Sequence, residues 1–146
     1  MIVFDTSVVI DALLPKLGDR SRQASEALKA AGERAAVVYA PRIFKIELAS
    51  VLSRRKSVEL VKDVVSDIAK WITLIPESEL FDVAYNLSYT TKSRAVDLYF
   101  IAAAKLTNSI LLTNDRVMAI NAKKAGIEAY YLLEEFEAAM KRIAEL

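Results

Sequence analysis

The stretch Ile2-Val3-Phe4-Asp5-Thr6-Ser7 decides the fold expected for this chain of 146 residues. Three consecutive apolar residues followed by a carboxylate and two hydroxyls are typical of a short buried strand that leads into a helix. A strand that is apolar at every position, rather than at every second one, belongs to a parallel sheet with both faces covered. We therefore expect a parallel sheet with helices on its two faces.

Similar apolar runs recur along the chain and alternate with helical patterns. Further strands are predicted at residues 36–40, 72–75, 109–113 and 127–131. Helices are predicted in two pieces before residue 32, and then at 41–56, 58–71, 78–89, 96–107, 116–125 and 134–146. Gly32 is expected to end a helix, and Pro41 is expected to lie in the first turn of the next one.

This alternation predicts an α/β fold. The expected architecture is a three-layer α/β/α sandwich with right-handed crossovers and a central, mainly parallel five-stranded sheet. Because no Gly-, Ser- or Pro-rich linker divides the chain, residues 1–146 are expected to form a single domain.

The composition excludes several classes of active site. The chain contains no His and no Cys, which excludes Ser-His-Asp and Cys-His catalysis, disulfides, and every metal site with imidazole or thiolate ligands. A metal must therefore have oxygen ligands, which Mg²⁺ and Mn²⁺ prefer. The net charge of +1 indicates no general nucleic-acid surface, so any contact with nucleic acid must be local.

Neither an export signal nor a membrane anchor is expected from the sequence. The chain enters a strand pattern at Ile2 with no basic segment before it. The apolar run at residues 98–106 is too short to cross a bilayer and is interrupted by Lys105. The cytoplasm is therefore the expected location, without membrane attachment.

Four carboxylates lie where the chain is otherwise apolar. Asp5 and Asp115 each follow a predicted strand, and each has a simple explanation as the N-cap of the next helix. Glu47 and Asp97 fall on the apolar stripe of a predicted helix, where a solvated flank position or a helix-dipole contact would explain them. The two strand ends, however, should meet at one edge of a parallel sheet. Carboxylates brought together there would repel one another, and a bound cation would relieve the repulsion.

These residues stand in motifs that resemble the PIN-domain family, in particular the VapC-type toxins of prokaryotic toxin–antitoxin pairs. The likeness extends over nearly the whole chain and keeps the family's order of acidic positions. The motifs are Ile2-Val3-Phe4-Asp5-Thr6-Ser7, Ile46-Glu47-Leu48-Ala49-Ser50-Val51-Leu52, Val96-Asp97-Leu98-Tyr99-Phe100-Ile101-Ala102-Ala103-Ala104 and Leu111-Leu112-Thr113-Asn114-Asp115.

The resemblance implies a metal-dependent endoribonuclease that acts on RNA with one or two Mg²⁺ or Mn²⁺ ions. Asp5 and Asp97 are the first choices for direct metal ligands. Glu47 and Asp115 would complete the catalytic set, directly or through water.

Polar and basic neighbours of the carboxylates are the next candidates. Ser7, Thr113 and Asn114 would orient a carboxylate, a water or a phosphate oxygen. Arg94 precedes one acidic position and Arg116 follows another, so both are candidates for contacts with RNA phosphates. Without metal, the same two side chains could bind the carboxylates.

The resemblance also implies two protein partners. One is a second copy of the chain in a homodimer. The other is a VapB-type antitoxin, whose tail typically wraps the toxin and can place a basic side chain in the acidic site. Aromatic residues offer apolar surface for such contacts: Tyr39, Phe44, Trp71, Phe81, Tyr85, Tyr89, Tyr130, Tyr131 and Phe136.

Other interpretations of a strand-end aspartate fit the chain less well. Enzymes that form an aspartyl phosphate usually have a second aspartate two residues later, where this chain has Ser7. A phospho-acceptor receiver domain needs an aspartate at the end of its third strand, where this chain has Leu74-Ile75-Pro76. The remaining alternative is a PIN-like module that binds RNA or protein with little or no nuclease activity.

Overall fold

All neighbouring strands of the central sheet run parallel. The computed structural model describes residues 1–14 and 18–146, and within them five strands form one sheet in the order β3-β2-β1-β4-β5. Each strand pairs in parallel with its neighbours, which confirms the predicted sheet. The strands are β1 (Ile2–Phe4), β2 (Val38–Pro41), β3 (Thr73–Ile75), β4 (Ile110–Thr113) and β5 (Ala129–Tyr131).

Helices cover the sheet on both faces. Those in the described part of the chain are α1 (Thr6–Leu13), α2 (Asp19–Glu33), α3 (Ile43–Leu52), α4 (Val58–Ala69), α5 (Glu77–Thr91), α6 (Ala95–Thr107), α7 (Arg116–Lys124) and α8 (Leu132–Ala144). On one face α2 packs against α1 and α8, and α1 against α3; on the other face α5, α6 and α7 pack together. This is the predicted three-layer α/β/α sandwich.

The strands β1 and β4 form the centre of the core and bring two predicted site segments together. Every residue of both strands is buried. Phe4 lies opposite Leu112 in the register, and the Asp5 N–H donates to the Leu112 carbonyl at 3.0 Å. Since the helices that follow β1 and β4, α1 and α7, lie on opposite faces, the carboxyl ends of these two strands form the switch point where α/β folds bind ligands.

Several predicted helix boundaries were wrong, among them the end of α3, which lies at Leu52 and not near residue 56. Pro41 ends β2 instead of starting a helix, because the following Arg42 N–H still pairs with the Ile75 carbonyl of β3 at 2.9 Å. Gly32 lies inside α2, and the helix ends with Ala35 in the left-handed region at φ 49°. The Ala35 and Ala36 N–H groups then bond the carbonyls of Gly32 and Ala31, the pattern of a Schellman motif.

Several predicted helix ends are confirmed. Ser57 caps α4 by accepting a hydrogen bond from the Leu60 N–H at 3.4 Å. Asn108 ends α6 in the left-handed conformation at φ 50°, and Gly126 follows α7 at φ 76°. No helix within the described ranges is both long and apolar enough to span a membrane.

Candidate active site

An acidic cleft of about 190 Å³ lies beyond the carboxyl ends of β1 and β4. The structure places the four predicted carboxylates around this cleft although they come from four separate segments of the chain. The residues that line it are Asp5, Thr6, Ser7, Ile10, Glu47, Val51, Arg94, Asp97, Asp115 and Met118. We call this set the acidic cleft.

Asp5 is buried at the base of the cleft with 5% of its surface exposed. It has the position of an N-cap for α1, but its side chain caps no backbone N–H. Its Oδ2 instead accepts hydrogen bonds from Ser7 Oγ at 2.5 Å and Thr113 Oγ1 at 2.7 Å. Burial raises the pKa of Asp5 and the nearby Asp97 charge adds to the rise, while the two hydroxyl bonds oppose it.

The fully buried hydroxyl of Thr113 connects two of the acidic positions. It donates to Asp5 and accepts a hydrogen bond from the Asp115 N–H at 2.9 Å. Asp115 is also the N-cap of α7, because its Oδ1 accepts from the Val117 and Met118 N–H groups at 2.9 and 3.1 Å. Its Oδ2 makes no capping bond and faces Arg94. Asp115 therefore has the simple structural role and a place in the cleft as well.

Glu47 is half-buried on α3 and is held by a threonine from α1. Thr6 Oγ1 donates to its Oε2 at 2.7 Å. Burial raises the pKa of Glu47, and the charges of Asp5 and Asp97 raise it further, whereas the Thr6 bond and Arg94 lower it. A glutamate on a freely solvated flank would show none of these effects.

Asp97 lies in the first turn of α6 with 6% of its surface exposed and is paired with Arg94. The Arg94 guanidinium donates from Nε to Asp97 Oδ2 at 3.0 Å and from Nη2 to Oδ1 at 3.2 Å. The same Nη2 reaches Asp115 Oδ2 at 3.3 Å. Among the described residues that line the cleft, Arg94 alone is basic. Its guanidinium bridges two of the four carboxylates.

The charges and donor atoms of the cleft suit a hard divalent cation. Four carboxylates and one guanidinium leave a charge of −3 when all are ionised. The donors are oxygens throughout, as Mg²⁺ and Mn²⁺ require. Within the described residues, no three acidic side chains stand in a ready-made ligand arrangement. The Arg94 side chain would have to leave Asp97 and Asp115 before both could face an ion.

Two predicted site residues point elsewhere. The Asn114 side chain turns away from the cleft and donates from Nδ2 to Asp11 at 2.6 Å. Arg116 extends over the surface, where its guanidinium lies 3.7 Å from Glu134. Neither residue lines the acidic cleft.

Two polar residues of α1 were missed as site candidates. Thr6 holds Glu47, and Asp11 is 4% exposed and bonded to Asn114. A signal for Asp11 existed, because it lies four residues after Ser7 and thus on the same side of the helix. For Thr6 there was none, since its partner is 41 residues away.

Comparison with protein families agrees with this geometry. A family model described as PIN domain matches residues 2–124, a range that contains all four cleft carboxylates. The chain belongs to the PIN-domain family. PIN domains are generally nucleases and typically use divalent metal ions. No curated protein gives a significant match to the chain.

Nuclease activity, which is general among PIN domains, makes the charge of the cleft important. A nuclease must bring an anionic phosphodiester to a carboxylate-lined site, which by itself would repel it. Among the described residues that line the cleft, the positive charge is the Arg94 guanidinium, which is paired with Asp97 and Asp115.

Proposed function

We propose that this PIN domain, as a single unit of residues 1–146, is a metal-dependent endoribonuclease that hydrolyses RNA phosphodiester bonds. The observation that carries the proposal is the convergence of Asp5, Glu47, Asp97 and Asp115 on one cleft at the switch point of the sheet. Four separate segments place acids in a cleft where they repel each other. A divalent cation explains that arrangement better than stability does.

Asp5 and Asp97 are proposed as direct ligands of one or two Mg²⁺ or Mn²⁺ ions, because both are buried and their oxygens face the same cleft. Glu47 and Asp115 would complete the set directly or through water. When bound, divalent ions supply positive charge for the phosphate and lower the pKa of a coordinated water.

The surrounding hydroxyls position the carboxylates for this chemistry. Ser7 and Thr113 fix Oδ2 of Asp5, which leaves Oδ1 for the cleft. Thr6 fixes Oε2 of Glu47 in the same way. Burial raises the pKa of Glu47, which makes this carboxylate the proposed acceptor for a proton from the attacking water.

Arg94 is proposed to exchange partners when RNA binds. Its side chain is 76% exposed and can turn to a phosphate oxygen once a cation takes its place beside the buried Asp97. Arg116 is the second proposed phosphate contact, outside the cleft. Asn114 does not contribute its side chain to the cleft in this proposal.

Replacing Arg94 with glutamine will strengthen Mn²⁺ binding, because the guanidinium competes for Asp97 and Asp115 and repels a second cation. We expect a dissociation constant roughly 3- to 10-fold lower, measured by calorimetric titration of the metal into the protein. The matched control is Arg116→Gln, since Arg116 pairs with Glu134 outside the cleft. Weaker Mn²⁺ binding by the Arg94 variant would show that the guanidinium supports the metal site rather than competing for it.

A more specific role proposed for this ribonuclease is that of the toxin in a toxin–antitoxin pair. A VapB-type antitoxin needs an apolar surface to dock on, and a groove of about 510 Å³ is lined mainly by apolar residues. Trp71, which is 83% exposed, lies at this groove. The test is co-expression with the product of a small neighbouring gene that carries a DNA-binding pattern. Co-purification that is lost in Trp71→Ser would support the toxin role.

A homodimer is the other proposed assembly. Phe81, Tyr85 and Tyr89 form an exposed aromatic row on α5, in which the first two rings stack and the last two meet edge to face. Isolated exposed apolar residues are ordinary, but a contiguous aromatic row is typical of protein interfaces.

We expect Tyr85→Arg to convert the dimer to a monomer, because it places a charge in the middle of the aromatic row. The measurement is molar mass by light scattering during gel filtration. The control is Leu106→Arg, which changes an equally exposed apolar residue on α6. Unchanged dimer mass in the Tyr85 variant would rule out α5 as the interface.

One observation favours the alternative of a PIN-like binding module without significant nuclease activity. Arg94 already neutralises part of the cleft, and the described acids form no ready-made ligand set. A module of this kind would bind RNA or protein equally well after loss of Asp5.

A further inference from the structure

We propose that Asp11 and Asn114 form a positioning pair that sets the separation of the metal-ligand segments, although neither side chain lines the cleft. The inference rests on the proposed metal site and adds a structural determinant of its affinity. Asn114 Nδ2 donates to Asp11 Oδ2 at 2.6 Å, and the two residues are 6% and 4% exposed.

Two further hydrogen bonds connect Asn114 to Asp5 through Ser7. The Asn114 backbone N–H donates to Ser7 Oγ at 3.0 Å, and Ser7 Oγ donates in turn to Asp5 Oδ2 at 2.5 Å. At the other end, the Arg20 guanidinium pairs with Asp11 from α2 and is partly exposed. Together these contacts link the partly exposed Arg20 to the buried Asp5 carboxylate of the cleft.

The orientation of the Asn114 amide is dictated by Asp11. An ionised carboxylate only accepts hydrogen bonds, so the amide must present Nδ2 to it. This orientation leaves the buried Asn114 Oδ1 with no hydrogen-bond partner among the described residues. An unsatisfied buried acceptor costs stability. The contact with Asp11 is therefore made at the expense of the amide's own oxygen.

Three hydrogen bonds therefore link residues 113–114, at the end of β4, to α1 and to the residue that precedes it. Thr113 bonds Asp5, the Asn114 backbone bonds Ser7, and the Asn114 side chain bonds Asp11. Asp115 follows directly on this segment. Since Asp5 directly precedes α1 and Asp115 directly precedes α7, a shift of Asn114 changes the separation of the two carboxylates.

The experiment is a Mn²⁺ titration of the wild type, Asp11→Leu and Asn114→Asp, followed by calorimetry. We expect each single variant to bind Mn²⁺ about 10- to 100-fold more weakly, the usual effect of losing a group that orients a metal ligand. In Asp11→Leu the acceptor for Asn114 Nδ2 is gone, and in Asn114→Asp two carboxylates face each other.

The exchanged variant Asp11→Asn/Asn114→Asp restores one donor and one acceptor. We expect it to bind Mn²⁺ more tightly than either single variant. Wild-type affinity in Asp11→Leu would overturn the inference, and so would an exchanged variant no better than the single ones.

The melting temperature without metal distinguishes a positioning role of the pair from a purely structural one. Ile143→Val, a cavity-forming change in α8, lowers stability without touching the cleft. It should leave the Mn²⁺ affinity unchanged at a comparable loss of melting temperature. If Asp11→Leu behaves like this control, the positioning role is wrong.

Asp5→Asn distinguishes failure of this inference from failure of the metal site. Loss of binding in Asp5→Asn together with normal binding in Asp11→Leu overturns only the positioning pair. A wild type that binds no Mn²⁺ overturns both.

Discussion

Replacing Asp5 with asparagine will reduce Mn²⁺-dependent RNA cleavage by more than about 100-fold, because loss of a group that merely orients a ligand already costs 10- to 100-fold. The substitution changes charge and little else. The amide oxygen can still accept the hydrogen bonds that Ser7 and Thr113 donate to Asp5 Oδ2. The fold should therefore persist while a proposed direct ligand is lost.

The matched control for cleavage is Asp63→Asn, which neutralises an exposed carboxylate on α4. It should cleave RNA at the wild-type rate. Initial rates on a single-stranded RNA, followed on denaturing gels, provide the measurement. Equal background cleavage by the wild type and Asp5→Asn would favour the binding-module alternative.

Mn²⁺ will raise the melting temperature of the wild type and leave that of Asp5→Asn nearly unchanged. A ligand present at 100 times its dissociation constant stabilises the native state by about 2.7 kcal/mol. For a domain of this size, that corresponds to roughly 8 °C in a thermal-shift measurement. An equal shift in both proteins would place the bound metal elsewhere.

The pH dependence of Mn²⁺ binding follows from burial, which raises the pKa of Asp5 and of Glu47. Metal binding needs both carboxylates ionised, so the Mn²⁺-induced shift should disappear on acidification at a higher pH than for ordinary carboxylates.

Without metal, the sign of the pH effect on stability is reversed. The folded protein binds a proton at Asp5 more readily than the unfolded chain does, because burial raises its pKa. Stability is therefore lost as pH rises from the ordinary value of 3.8 through the raised one. We expect metal-free Asp5→Asn to melt at or above the wild-type temperature at neutral pH, with the difference closing below about pH 4.

The fold was predictable because its signals are local. Apolar runs at β1 and β4 imply burial on both faces, and parallel pairing then fixes which ends of the strands meet. The placement of Asp5 beside the Thr113 segment follows from that register. The boundary error at Pro41 arose where pairing with β3 overrode local preference, and the error at Gly32 arose because Ala35 takes the left-handed position that ends α2.

The contacts within the cleft were less predictable from the sequence, because they depend on side-chain directions. Arg94 was a candidate for binding the carboxylates, but its simultaneous bonds to Asp97 and Asp115 depend on the packing of α6 beside α7. From the sequence, Asn114 is expected to orient a carboxylate, a water or a phosphate oxygen. Its side chain instead donates to the buried carboxylate of Asp11, which is 103 residues away in the chain.

The most direct test of the central claim is reversible metal dependence of RNA cleavage by the purified protein. Wild-type protein is assayed with Mn²⁺, after removal of the metal with EDTA, and after Mn²⁺ is restored, with Asp5→Asn in parallel. We predict cleavage that stops with EDTA, resumes with Mn²⁺, and is absent from the variant throughout. Cleavage that continues unchanged in EDTA, or that the variant matches, would contradict the assignment of the four carboxylates to a catalytic metal site.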